Sequence, residues 1–166
     1  MSKVELREAK RGDEKILAYI QSESWKSAFK DILSTEELKK CCDVSKAEGM
    51  YKEVLKQGQV HMWIEWVDGE PHCISGWSRN RNKLADDVAE LICIHSLANR
   101  HHQGFGSIMM EHILKQMKGM GYKQVILWVF EENHKARSFY EKHGFVVSEC
   151  RNQAHGAIEV MYSKKL

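Results

Sequence analysis

Between Val88 and Leu114 the chain reads VAELICIHSLANRHHQGFGSIMMEHIL. A buried-looking strand, a short basic turn with two glycines and the first turns of an amphipathic helix succeed one another without a break. Gly104 and Gly106 let the backbone approach a ligand closely, and the helix start behind them points N–H groups outward that have no intrahelical partner. Such a succession is a cradle for an anion. The helix dipole adds about 0.3–1 kcal/mol for a negative group held at an exposed helix start.

The two common phosphate motifs do not describe it. A dinucleotide fingerprint G-x-G-x-x-G would need a third glycine where Met109 stands. A P-loop ends in Gly-Lys-Ser/Thr, whereas Gly106 is followed by Ser107 and Ile108. What survives is a basic segment, Arg100 to Gln103, that enters Gly104-Phe-Gly106-Ser107 at the head of a helix.

Bulk properties narrow the class further. A chain of 166 residues, 43% hydrophobic and 29% charged, is expected to form a single domain over residues 1–166 with its own core. A net charge of +2 gives no case for nucleic-acid binding. No apolar run approaches the ~20 residues of a membrane-spanning helix, and MSKVELREAK lacks the apolar core of a signal peptide. The expectation is a soluble, cytoplasmic protein without a membrane partner. The five cysteines lack CxxC spacing and none of the nine histidines lies in HExxH, so neither a disulfide framework nor a metal site is expected.

The periodicity predicts a short strand from Lys3 to Arg7 and a helix from Asp13 to Glu23. Trp25, Phe29, Ile32 and Leu33 continue an apolar stripe, divided by breaks near Ser24 and at Ser34-Thr35, where Ser34 and Glu37 have capping-box spacing. A helix from Lys46 to Lys56 stops at Gly58. Strands from Gln59 to Val67 and Pro71 to Arg79 flank Asp68-Gly69, a hairpin signal. After the polar stretch Asn80 to Asp87 comes the strand of the cradle, then its helix to Gly121. A strand from Val125 to Phe130, a helix from His134 to His143 capped by Asn133 and stopped by Gly144, and strands from Phe145 to Cys150 and Ala157 to Tyr162 complete the order. This mixed order points to an α/β (mixed α+β) sheet with helices on both faces and not to a doubly wound nucleotide fold.

Two blocks in that frame resemble the acetyl-CoA-binding core of the GNAT superfamily of N-acetyltransferases. The strand Glu90-Leu-Ile-Cys-Ile-His-Ser-Leu97 leads into His101-His-Gln-Gly104-Phe-Gly106, similar to the family's Arg/Gln-x-x-Gly-x-Gly/Ala turn. Asn133-His-Lys-Ala136-Arg-Ser-Phe-Tyr140, with Gly144-Phe145 behind it, is similar to its Asn-x-x-Ala-x-x-x-Tyr and Gly-Phe block. The likeness departs at His101, where Arg or Gln is usual, and at Ala98, where proline is common. It leaves open whether Arg100 supplies a charged contact instead.

The resemblance implies a central mixed, mostly antiparallel sheet, and a chain that transfers acetyl from acetyl-CoA to a primary amine of a small molecule or peptide. A non-catalytic acyl-CoA-binding or interaction module of the same fold is the alternative. It implies that the backbone of His102, Gln103, Gly104, Phe105, Gly106 and Ser107 takes the pyrophosphate. Ile94, His95 and Ser96 would pair with the pantetheine arm as an added strand, and Asn133 would touch that arm or simply cap its helix. Tyr140 is the candidate acid for the departing thiolate, or else helix packing. Glu90 is the candidate base, since a partly buried carboxylate suits proton removal from an ammonium; an ordered water or His95 could replace it. Trp25, Phe29 and Trp77 are candidates for the acceptor pocket or for the core. Monomer and homodimer both stay open.

Overall fold

The computed structural model describes residues 1–100 and 102–166. His101, the first position of the turn motif, lies outside them. Seven strands form one sheet: β1 (Val4–Glu8), β2 (His61–Val67), β3 (Glu70–Arg79), β4 (Val88–Ser96), β5 (Gln124–Phe130), β6 (Val146–Ala154) and β7 (Ala157–Lys165). Their spatial order is β1-β2-β3-β4-β5-β7-β6. Every adjacent pair is antiparallel except β4 and β5, which run parallel. The helices are α1 (Glu14–Ala28), α2 (Thr35–Cys41), α3 (Val44–Gln57), α4 (Phe105–Gly119) and α5 (His134–Lys142). This is the mixed, mostly antiparallel sheet that the resemblance implied.

Strand alternation sorts the core into two faces. Cys73 and Trp77 of β3 point toward α4 and α5, where Met109, Met110, Ile113, Met117 and Tyr140 pack with Leu91, Leu127 and Tyr162. Ile74, the neighbour of Cys73 in sequence, points the other way, to Leu17, Ile20, Ala47 and Tyr51 of α1 and α3. The methionines of α4 are packing residues, each contributing about 1.5–3 kcal/mol by leaving water.

Two expectations are corrected. No break occurs near Ser24: α1 runs on to Ala28, Ser24 is buried, and the apolar stripe outweighs the weak helix preference of serine. The last two strands are longer than predicted and join at His155-Gly156, both with positive φ (53° and 79°), the requirement of a two-residue type I′ hairpin. Histidine is not a usual residue there, so the sequence carried no turn signal. The Asp68-Gly69 hairpin is formed as predicted, with φ of 55° and 83°.

One buried carboxylate has no hydrogen-bond partner among the described residues. Both oxygens of Glu65 are unbonded in the core, and burial lifts its carboxyl from 4.5 to about 7. As pH rises through that window the unfolded chain gives up this proton while the folded chain keeps it, so stability falls. The loss should reach up to about 3 kcal/mol and then level off. Urea denaturation measured from pH ~4.5 to ~8 should show this decline in the wild type and a flatter curve in Glu65→Gln. An identical slope in the two proteins would contradict the assignment.

Candidate active site

The parallel ladder between β4 and β5 is short. It pairs Val88 with Gln124 and ends at Leu91 with Leu127. Trp77 of β3 faces Leu91 while Gly76 faces Cys93, so Ile92 is an inserted, bulged residue. A bulge bends its strand and turns the side chains beyond it over. Ala89 and Leu91 face α4, and past the bulge Ile94 again faces that side while Cys93 packs toward α1. From Ile92 to Ser96 the β4 residues are only partly buried, and the ladder to β5 stops before them. The edge of N–H and C=O groups from Ile92 to His95 on that side suits an extended ligand. Ile94 and His95 lie on it, and Ser96 ends the strand.

The head of α4 stands beside this edge. Gly104 is its N-cap in the left-handed conformation (φ 86°), and no side chain caps the helix. Only glycine holds that φ without strain. Phe105 is buried against the His72 ring and anchors the start of the helix. The Ser107 N–H is engaged by the Gly104 carbonyl at 3.1 Å, and its hydroxyl lies 3.0 Å from Nε2 of His143. The first-turn N–H groups of Phe105 and Gly106 have no carbonyl before them in the helix. A Cβ on Gly106 would reach Phe139 at 3.6 Å and the Ser96 hydroxyl at 3.9 Å, a measure of how closely β4, α4 and α5 converge. Arg100 does not join them: its guanidinium turns to the Val67 carbonyl and Asp68, at 3.3 and 3.5 Å.

Helix α5 closes the cradle. The Asn133 side chain accepts the Ala136 N–H at 3.2 Å, so its capping role is real. Tyr140 packs among Phe139, Phe145 and Tyr162, and burial pushes its phenol well above the ordinary value, reinforced by the nearby Cys93 and Cys73 thiols. It therefore keeps its proton at any physiological pH.

On the opposite face, where α1 packs, Glu90 is 2% exposed and gripped by Arg81. Nη2 and Nε of Arg81 donate at 2.7 and 3.1 Å, and its backbone N–H at 2.9 Å. A cleft of about 300 Å³ opens beside this pair, lined also by Ile92, Trp128, Asn152 and Glu159. Alternation along β4 and the bulge bring His95 to this same face, where Nε1 of Trp25 donates to its Nε2 at 3.2 Å. Burial pushes His95 down to about 4, leaving it a neutral acceptor. Phe29 packs edge-on to Trp25 and to Phe130, so the two aromatic residues of α1 and its C-cap border this side of the site. Trp77 does not join them: it is 1% exposed beneath the other face, stacked on His61 and edge-on to Tyr122. A larger hollow, about 610 Å³, lies over β1 and β2 with none of the cradle residues in its wall.

Sequence reading missed Arg81, Trp128 and Glu159. Arg81 sits in a polar stretch that looks like any loop, and only its reach back to Glu90 marks it. Trp128 had a signal in its parity, opposite to Leu127 and Val129 in an otherwise buried strand.

A model of the acetyltransferase (GNAT) family matches residues 22–145. A probable N-acetyltransferase of Mycobacterium tuberculosis is 30% identical over 99 residues, 59% of this chain and 53% of that protein, so the chain spans about half the length of the curated relative it matches. Among solved structures, the PaiA N-acetyltransferase of Thermoplasma acidophilum in complex with coenzyme A superposes with a TM-score of 0.84 at 20% identity, over 99% of each chain. The ribosomal-protein-S18-alanine N-acetyltransferase of Escherichia coli does so at 0.72 and 14%, over 98% of this chain and 94% of that one. At such identities these two speak for the fold alone.

Removing the Arg81 side chain leaves the Glu90 charge buried and short of donors. Because the Arg81 side chain is itself 64% exposed, the cost is set below that of a fully buried pair, at about 1–3 kcal/mol. Chemical denaturation of Arg81→Ala should read that loss, and the double variant Arg81→Ala/Glu90→Gln should recover part of it. Strict additivity of the two single changes would mean the pair is not coupled.

Proposed function

The chain belongs to the acetyltransferase (GNAT) family, and we propose that it is a single domain that transfers an acetyl group from acetyl-CoA to a primary amine of a small molecule or peptide. The observation that carries this reading is the convergence of an open β4 edge with an uncapped, glycine-started helix beside it. An extended arm with amide groups fits the first and a pyrophosphate fits the second. The residues present therefore suit CoA. Ile94, His95 and Ser96 would hold the pantetheine arm through their backbone. His102, Gln103, Gly104, Phe105 and Gly106 would hold the pyrophosphate, with Ser107 as the first anchored turn. Asn133 would line the arm while capping α5.

Chemistry needs an unprotonated amine at the thioester carbonyl and a proton for the sulfur as the C–S bond breaks. The gap where β4 leaves β5 is the natural meeting point, since the cradle lies on one face of the sheet and the Glu90 cleft on the other. Glu90, oriented by Arg81, takes the amine proton directly or through a water. Tyr140 stays protonated and donates to the departing sulfur, whose free thiol pKa of about 8.5 makes it a modest leaving group that benefits from such a donor. Trp25, Phe29 and Trp128 border the acceptor side.

Acetyl-CoA should raise the melting temperature of the wild type in a concentration-dependent way. With a reactive amine the protein should release free CoA. Tyr140→Phe should lower kcat by about 10²-fold while acetyl-CoA affinity changes little. Binding without CoA release across a broad amine panel would instead support the non-catalytic acyl-CoA-binding module. A kinetically silent Tyr140→Phe would remove Tyr140 from the acid role.

A further inference from the structure

Glu37 and Cys41 lie four residues apart on α2, so they share one side of the helix. The β6–β7 hairpin, more than a hundred residues later, brings His155 onto them. Nδ1 of His155 is 3.1 Å from Oε1 of Glu37 and 3.3 Å from Sγ of Cys41, and Cys41 Sγ is 3.6 Å from the same Glu37 oxygen. Three different donor types thus form a closed triangle, all within reach of one point between them.

Hydrogen bonding accounts for two sides of that triangle. The Glu37 oxygen accepts from the thiol and from Nδ1–H, and the third side, sulfur to Nδ1, is then left without a proton of its own. A central cation would satisfy all three. With metal–sulfur bonds of about 2.3 Å and metal–nitrogen or metal–oxygen bonds of about 2.0–2.2 Å, a tetrahedral ion sets its ligand atoms about 3.4–3.6 Å apart. Each observed side lies within about 0.3 Å of that requirement.

Two further features fit a built arrangement. Glu37 occupies the capping-box position, and the Ser34 hydroxyl accepts its N–H at 3.2 Å. Its carboxylate does not make the reciprocal capping bond among the described residues, and turns to Cys41 and His155 instead. His155 occupies a left-handed position (φ 53°) that ordinarily favours Gly, Asn or Asp. The ring is held edge-on by Trp25 at 5.6 Å between centroids and by Phe130 at 6.5 Å.

We propose that Glu37, Cys41 and His155 form a binding site for one zinc-type dication, with a fourth, open position facing solvent. A thiolate, an imidazole and a carboxylate together suit a borderline-soft ion and not Mg²⁺ or Ca²⁺. On binding, the metal–sulfur bond forms as the Cys41 S–H bond breaks, and the proton passes to solvent. The ion pins α2 to the β6–β7 hairpin. Through Trp25, which also donates to His95, it fixes the wall that borders the acceptor side of the site.

The test is titration of reduced, tag-free, metal-stripped full-length protein with Co²⁺. The expected result is one equivalent bound, with visible bands of tetrahedral intensity and a thiolate-to-cobalt charge-transfer band in the near ultraviolet, all abolished by Zn²⁺ in competition. Cys41→Ser should lose the charge-transfer band and His155→Ala should weaken Co²⁺ binding by about tenfold or more. Cys150→Ser, which removes an exposed thiol outside the triangle, should change neither. Zn²⁺ should raise the melting temperature of the wild type and not of Cys41→Ser. Absence of stoichiometric binding, or a charge-transfer band that survives in Cys41→Ser, overturns the proposal.

Discussion

The ladder between β4 and β5 stops at Leu91 and Leu127, and one inserted residue, Ile92, re-aims the side chains from Cys93 onward. Up to that point β4 is an ordinary buried strand with paired neighbours on both sides. Beyond it the strand keeps β3, while its ladder to β5 has ended. An unpaired strand edge inside a protein is costly unless something completes it. The cradle, the cleft beside Glu90 and the exposure of Ile94 to Ser96 all stem from that one interruption.

The same interruption sorts the side chains named in the proposal between two faces. Phe105 and the α4 methionines hold the helix start against one side of the sheet, where Tyr140 lies. Glu90, Cys93 and His95 are turned to the other, toward α1. In the proposed reaction a donor held on one face meets an acceptor held on the other, and the splay is the opening through which the proposal joins them. Arg81 matters here because a carboxylate 2% exposed needs donors around it, and Arg81 supplies three. Glu65, equally buried, has no hydrogen-bond donor among the described residues, and burial lifts its carboxyl to about 7.

Most of the element order was legible because it rests on local signals. Asp68-Gly69 announces its hairpin, Gly58 and Gly144 stop their helices with positive φ, and Asn133 caps α5 through its own side chain. The failures had separate causes. The end of α1 was misread because burial of Ser24 and packing of the partly buried Trp25 against distant residues override a local preference. The His155-Gly156 turn was missed because no turn residue type marks its first position. Trp77 was grouped with Trp25 and Phe29 on chemistry alone, whereas the strand parity it shares with Cys73 sends it to the opposite face.

What the sequence by itself determined is local: strand β4, the glycine N-cap and start of α4, and the Asn133-capped α5, each dictated by neighbours a few residues away. What only the tertiary structure decided is every pairing between residues far apart in the chain. Arg81 on Glu90, Trp25 on His95, and the meeting of Glu37 and Cys41 with His155 depend on sheet order, register and one bulge. No local propensity encodes these, because the free energy that selects them comes from packing two faces of a sheet at once.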